Sequence, residues 1–142
     1  PISGTYGGVM SVDKIMTKRL VTIEMDDSLT VVKEIFDNVN IHHLLVVESG
    51  KLHGVITDRD LLKALSPNIG TSSETYRDTI TLNKKVHQIM TSKTITLAPD
   101  AEVFDAIHIF NNYDVSCIPV VDDKDIPVGI ISWRDIIKAI KL

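Results

Sequence analysis

Gly54-Val-Ile-Thr-Asp-Arg-Asp60 and, 75 positions later, Gly129-Ile-Ile-Ser-Trp-Arg-Asp135 are two versions of one stretch. In each, a glycine leads a β-branched or apolar pair, a hydroxyl residue follows, and an acid stands three residues beyond it. Downstream, Leu61, Leu62 and Leu65 recur as Ile136, Ile137 and Ile140, at the spacing of one helix face. The pattern is a strand turning directly into a helix. Working outward, the identity continues. Val12-Asp-Lys-Ile-Met-Thr17 matches Val86-His-Gln-Ile-Met-Thr91 at a shift of 74, and 11 of 36 positions agree over 12–47, with 6 of 12 over 54–65. The chain is a tandem duplication, and that decides its architecture.

Each copy runs through the same periodicities. A β-branched run (Leu20-Val21-Thr22-Ile23, then Thr94-Ile95-Thr96-Leu97) predicts a strand. An amphipathic helix follows, carrying Leu29, Val32, Ile35, Phe36 and Val39 in one copy and Val103, Ala106, Ile107, Phe110 and Tyr113 in the other. Asp27-Ser28 and Pro99-Asp100 supply its starting chemistry. Strands are predicted over 43–48 and 52–57, and over 117–121 and 127–132; closing helices over 58–66 and 133–141. The fold class is therefore α/β (α+β), with the order β-α-β-β-α given twice. We divide the chain into an N-terminus (1–9), disordered or partly derived from cloning, a first repeat (10–66), a surface linker (67–83) and a second repeat (84–142). A repeat of about 55 residues buries too little apolar surface to stand alone. The expected solution packs the repeats about a pseudo-two-fold axis, leaving two clefts between them.

Composition narrows the function. The 142 residues are 44% hydrophobic and 24% charged, ordinary for a globular chain. Fifteen basic against nineteen acidic residues give a net charge of −4, and the basic residues cluster only in pairs such as Lys84-Lys85, so no nucleic-acid partner is expected. No apolar run approaches the roughly 18 residues of a spanning helix, so no membrane partner is expected. A single cysteine, Cys117, excludes a disulfide framework within the chain and suits a reducing, cytoplasmic setting. The histidines have no metal-ligand spacing: His42 and His43 are strand neighbours pointing to opposite faces. No nucleophile–base pair, phosphate loop or paired-carboxylate pattern is present, so neither an enzyme nor a catalytic cofactor is expected.

The ordered set of Ile-Met-Thr, strand, amphipathic helix, Pro-Val-Val-Asp and Gly-hydrophobic-hydrophobic-Thr/Ser-x-x-Asp, given twice over about 10–141, resembles a tandem pair of cystathionine-β-synthase-type (CBS) domains. Among stand-alone members it looks most similar to the acetoin-utilisation type. The resemblance implies a regulatory module that binds adenine nucleotides or adenosyl ligands (AMP, ADP, ATP, S-adenosylmethionine or NAD) in the inter-repeat clefts, forms a homodimer and signals to a protein partner. It assigns Asp60 and Asp135 to a ribose, and Thr57 and Ser132 to the ribose or nearest phosphate. Thr22 with Ile23, and Thr96 with Leu97, would cradle the purine, together with the strand starts His42-His43-Leu44 and Ser116-Cys117-Ile118. Arg59, Arg134, Lys18 and Lys93 are its candidate phosphate cations, with Met16 and Met90 as further lining.

The residues themselves leave alternatives open. Thr57-x-x-Asp60 and Ser132-x-x-Asp135 also read as helix-capping boxes, a role compatible with ligand contact. Met16 and Met90 read equally as core fillers. The copies differ at Leu45 against Pro119 and Asp58 against Trp133, and Asp58 would oppose a polyphosphate, so unequal sites are expected. Two other functions compete: a ligand-free dimerisation scaffold, and an accessory regulatory segment of a larger enzyme or transporter.

Overall fold

A computed structural model describes residues 10–140; the expectations for 1–9 and for the last turn at 141 lie outside the described residues. The described chain folds as two compact units, and their limits differ from those of the sequence repeats. One unit is Val21–Lys93; the other joins 10–20 to 94–140. Each Ile-Met-Thr leader thus belongs to the unit that holds the other copy's glycine-led strand.

In the unit Val21–Lys93, β1 (Thr22–Ile23) runs parallel to β2 (His43–Glu48), which pairs antiparallel with β3 (Lys51–Thr57). The β2–β3 hairpin turns through Ser49 and Gly50 at φ 51° and 79°. Two successive positive φ values give a turn whose twist matches that of the strands it joins. Between β1 and β2, α1 (Leu29–Asn38) buries Leu29 and Val32 against the sheet. After β3 comes α2 (Asp58–Ala64), which buries Leu61. The segment expected as plain linker contains α3 (Tyr76–Ile80) and a 3-10 turn, Thr81–Asn83. Its cap is local: Thr75 N donates to Asp78 Oδ2 at 2.8 Å, and Ser66 Oγ donates to Asp78 Oδ1 at 2.6 Å. The leader helix α4 (Val86–Ile89) completes the unit, with Val86 N donating to Asp27 O and Leu29 N to Lys84 O.

The second unit repeats this plan with α5 (Val103–Asn112), β4 (Ile118–Val121), β5 (Pro127–Ile131) and α6 (Trp133–Ala139), led by a 3-10 turn at Val12–Lys14. Two expectations need correction here. The strand predicted over 94–97 reduces to one bridge, Leu97 beside Val120. The cause is Pro119. In the other unit Leu45 N donates to Val21 O at 3.2 Å, and at the matching position proline has no N–H to give. The helix predicted to start from Pro99-Asp100 starts instead at Val103, with Glu102 at its cap and Glu102 N donating to Asp105 Oδ2. The preceding residues are held in a turn by Ala101 N donating to Ala98 O.

Both units close on the same contact. Thr17 and Ile130 exchange backbone bonds of 2.9 and 3.0 Å, as do Thr91 and Val55 at 2.9 and 3.0 Å, adding the leader to the far side of β5 or β3. Beside each bridge lies a glycine. A Cβ on Gly129 would stand 2.2 Å from Met16 Sδ, and one on Gly54 would stand 2.7 Å from Thr91 O and 2.9 Å from Met90 Sδ. Met16 packs against the core of Val12, Val103, Ile118 and Ile131, and Met90 against that of Ile23, Leu29, Leu44 and Ile56. Both methionines are partly buried and pack against a core.

Two predictions follow from this packing. Gly129→Ala should cost about 1–3 kcal/mol as an overpacked core position. A double-mutant cycle in urea should show that cost largely relieved by Met16→Ala, since the clash is with a side chain. Gly54→Ala should not be rescued by Met90→Ala, because the obstructing atom is a backbone carbonyl. The second concerns Asp78, whose carboxyl is held below its ordinary value of 3.8, chiefly by the Ser66 hydroxyl and then by the Thr75 amide. A depressed folded pKa means that the clamp contributes above the unfolded value and is lost as pH falls through the folded one. The Thr75 amide chemical shift should accordingly titrate below pH 3.8, and the titration should vanish in Asp78→Asn.

Candidate functional site

The strand register gathers the candidate residues at one end of each sheet. In Val21–Lys93, Thr22 lies beside Leu45, and His43 lies across from Thr57. The start of β1, the start of β2 and the end of β3 therefore share one edge. Thr57, in an extended conformation, ends β3 and caps α2: its Oγ1 accepts from Asp60 N at 3.0 Å, while Thr57 N donates to Asp60 Oδ2 at 2.9 Å. This is the reciprocal capping box. It leaves Asp60 Oδ1 without a partner among the described residues. Asp58, the acid expected to oppose a polyphosphate, has a partner in His42. His42 Nδ1 stands 2.8 Å from Asp58 Oδ2, and Asp58 N donates to His42 O at 3.1 Å.

The other unit assembles the same edge from Thr96, Ser116-Cys117 and Ser132. Ile118 lies across from Ile131, and Leu97 beside Val120. Here the carboxylate is more fully engaged. Asp135 Oδ2 accepts from Ser132 N at 2.9 Å and Ser132 Oγ at 3.3 Å, and Oδ1 accepts from Thr17 Oγ1 at 2.8 Å, a residue 118 positions away. Where the first unit has Asp58, this one has Trp133. Its ring lies 5.1 Å from that of Phe110, tilted by 31°.

Several expected side chains have other duties. Ile23, Leu44 and Ile118 belong to the two cores, and Cys117 is buried. They can offer a ligand backbone groups but no side-chain wall, because their apolar surface is already spent on packing. Thr22, His42 and Ser116 are exposed, and His43 and Thr96 partly so. Arg59, Arg134, Lys18 and Lys93 are exposed and make no ion pair among the described residues. Sequence reasoning missed Thr17 altogether. It grouped the leader with its own repeat, and so could not bring Thr17 to Asp135. The only available signal was that Ile-Met-Thr occurs twice although its threonine has no local partner.

Both strand-to-helix turns lie within the stretches that one family model matches. The CBS domain profile matches residues 12–67 and 86–142. The chain belongs to the CBS domain family, as a tandem pair. It is 33% identical over 128 residues to a CBS domain-containing protein of Dictyostelium discoideum, covering 89% of this chain and 88% of that protein. Other curated relatives are longer, and the chain spans between 22% and 44% of three of them. The CBS domain pair of protein MJ0100, solved in complex with 5′-methylthioadenosine and S-adenosyl-L-methionine, superposes with a TM-score of 0.76 at 32% identity, covering 92% of this chain and 95% of that one. A candidate acetoin utilization protein (AcuB) of Vibrio cholerae shares the fold with a TM-score of 0.75 at 23% identity, covering 92% and 90%.

The two caps differ in a measurable way. Thr57→Ala removes an acceptor from a helix N–H and should cost about 1 kcal/mol of stability. Ser132 and Asp135 are placed as a capping box, but Ser132 Oγ donates to Asp135 Oδ2 at 3.3 Å and makes no direct bond to a helix N–H. Urea denaturation should therefore find Ser132→Ala the milder change.

Proposed function

We propose that the chain is a regulatory module that binds an adenine nucleotide or adenosyl ligand and reports its occupancy to a protein partner, without chemistry of its own. The observation that carries this reading is the duplicated hydroxyl–carboxylate pair, Thr57 with Asp60 and Ser132 with Asp135, set at one edge of each sheet. A carboxylate is an acceptor-only group with two oxygens, suited to the adjacent hydroxyls of a ribose. In both units one of its oxygens is fixed by the backbone amide of the cap, which orients the carboxylate before any ligand arrives. The likeness to a CBS pair that holds two adenosyl compounds supports the ligand class. Thr22, His42, His43 and Arg59 in one unit, and Thr96, Ser116 and Arg134 in the other, are the polar groups available to the remainder of the ligand.

The module works in the cytoplasm as a homodimer in this reading. Leu62 on α2 and Ile137 on α6 are 74% and 63% exposed, more than core-facing residues would be, and a second copy would cover them. Signalling then needs only that the ligand favour one arrangement of the dimer, by no more than its differential affinity for the two.

A thermal-shift titration tests the proposal, with 5′-methylthioadenosine, S-adenosylmethionine, AMP, ATP and NAD against the wild type, Asp60→Asn and Asp135→Asn. Asparagine keeps one oxygen for the cap and loses the diol acceptor pair. At a hundred times its dissociation constant a ligand adds about 2.7 kcal/mol of stability. The expected result is a shift that one or both variants abolish. Flat melting curves for every ligand, with dimer assembly intact, would make the chain a scaffold.

A further inference from the structure

The two carboxylates are not equally open, and the difference lies in one hydroxyl. Asp60 Oδ1 has no partner among the described residues, whereas Asp135 Oδ1 is taken by Thr17 Oγ1 at 2.8 Å. Thr17 is no casual neighbour. Its backbone is bonded in both directions to Ile130, and the preceding Met16 rests on Gly129. Its counterpart Thr91 is paired in the same way to Val55, yet its hydroxyl bonds no carboxylate among the described residues. The same leader presents the same residue in both units, and only one of them reaches the acid.

We propose that Thr17 is an internal competitor for the diol of an adenosyl ligand at Asp135, so that the Asp60 site fills first and the Asp135 site at higher ligand concentration. The inference rests on the function proposed above. A threonine hydroxyl on a carboxylate oxygen makes the bond that a ribose hydroxyl would make. A ligand must therefore turn Thr17 away before both of its hydroxyls engage Asp135. A carboxylate oxygen accepts more than one bond, so Thr17 lowers affinity without closing the site. The exchange needs only rotation of the Thr17 side chain, because the backbone bonds to Ile130 do not involve the hydroxyl. Two sites of staggered affinity let one module respond over a wider range of ligand concentration than two equal sites would.

Trp133, the sole tryptophan of the chain and next to Ser132, supplies a local probe. In an Asp60→Asn background, 5′-methylthioadenosine is titrated and Trp133 fluorescence followed. Thr17→Val keeps the β-branched shape and removes the hydroxyl. It should tighten binding about fivefold, the factor corresponding to about 1 kcal/mol for one exposed hydrogen bond. Thr17→Ser, which retains the hydroxyl, should bind as the parent does. With 3′-deoxyadenosine, which offers one hydroxyl fewer, the gain from Thr17→Val should shrink. Thr91→Val, tested in an Asp135→Asn background by calorimetry, should leave the Asp60 site unchanged. Equal or weaker binding in Thr17→Val overturns the inference, and weaker binding would make Thr17 a direct ligand contact. If Asp135→Asn abolishes binding while Thr17→Val leaves it unaltered, the competitor falls and the adenosyl site stands. If neither site takes any adenosyl compound, with or without Thr17, both readings fall together.

Discussion

The close approach of a methionine to a strand glycine governs each unit. Met16 over Gly129 and Met90 over Gly54 leave no room for a Cβ, and each contact sits beside a reciprocal backbone bridge, Thr17 with Ile130 or Thr91 with Val55. At Gly54 a Cβ would press on the Thr91 carbonyl and threaten the bridge, whose two backbone groups would then need other partners, whereas at Gly129 it would meet only the Met16 side chain, which would have to move. Methionine suits the position because its unbranched, polarizable chain can lie flat along a bare backbone while still filling the core beneath. The glycine and the Ile-Met-Thr leader are therefore two halves of one requirement. That explains why both appear in each copy, although they lie far apart in sequence.

The candidate edge depends on this contact as well as on the helix caps. The bridge fixes the residue after the methionine against the glycine-led strand, one strand over from the hydroxyl and carboxylate at the strand-to-helix turn. It sets Thr17 beside the turn from which it bonds Asp135, although the same bridge leaves the Thr91 hydroxyl without a carboxylate partner among the described residues. Each edge is accordingly assembled from a strand-to-helix capping turn, which is local in sequence, and from a leader that arrives from elsewhere in the chain. The first half orients the carboxylate, and the second decides how accessible its outer oxygen is.

Most of the secondary structure was legible from period and duplication, because α1, α5, β2, β3 and the closing helices each carry an unbroken apolar pattern. What escaped had physical causes. The strand at 94–97 has β-branched residues but lacks a donor opposite, since Pro119 cannot bond as Leu45 does. The helix Tyr76–Ile80 has a weak apolar face and is held by a cap, Thr75 with Asp78, and by Ser66 across the segment, so hydrophobic periodicity gives no sign of it. Of the site, the hydroxyl–carboxylate pairs were readable because both halves lie within four residues. The Thr17–Asp135 bond and the joining of each leader to the other copy's strand are long-range facts that local spacing does not encode. The His42–Asp58 pair lies between these cases: both residues were noticed, but their meeting depends on the register of β2 with β3.

Duplication makes the differences between the copies informative. Two units with the same fold, the same glycine–methionine contact and the same strand-to-helix turn differ at the edge in three respects: His42–Asp58 against Ser116 and Trp133, Leu45 against Pro119, and a carboxylate oxygen that is open in one and bonded in the other. Apart from the strand lost beside Pro119, these differences leave the plan of the two units the same. The His42–Asp58 pair gives one edge polar character, whereas Trp133, tilted against Phe110, gives the other an apolar surface. An adenosyl ligand presents both kinds of surface, a hydroxylated sugar and an aromatic base. In the proposed function, the two edges would weight those contacts differently. The duplication preserved the scaffold, and the edge beside the strand-to-helix turn is where the two copies diverge.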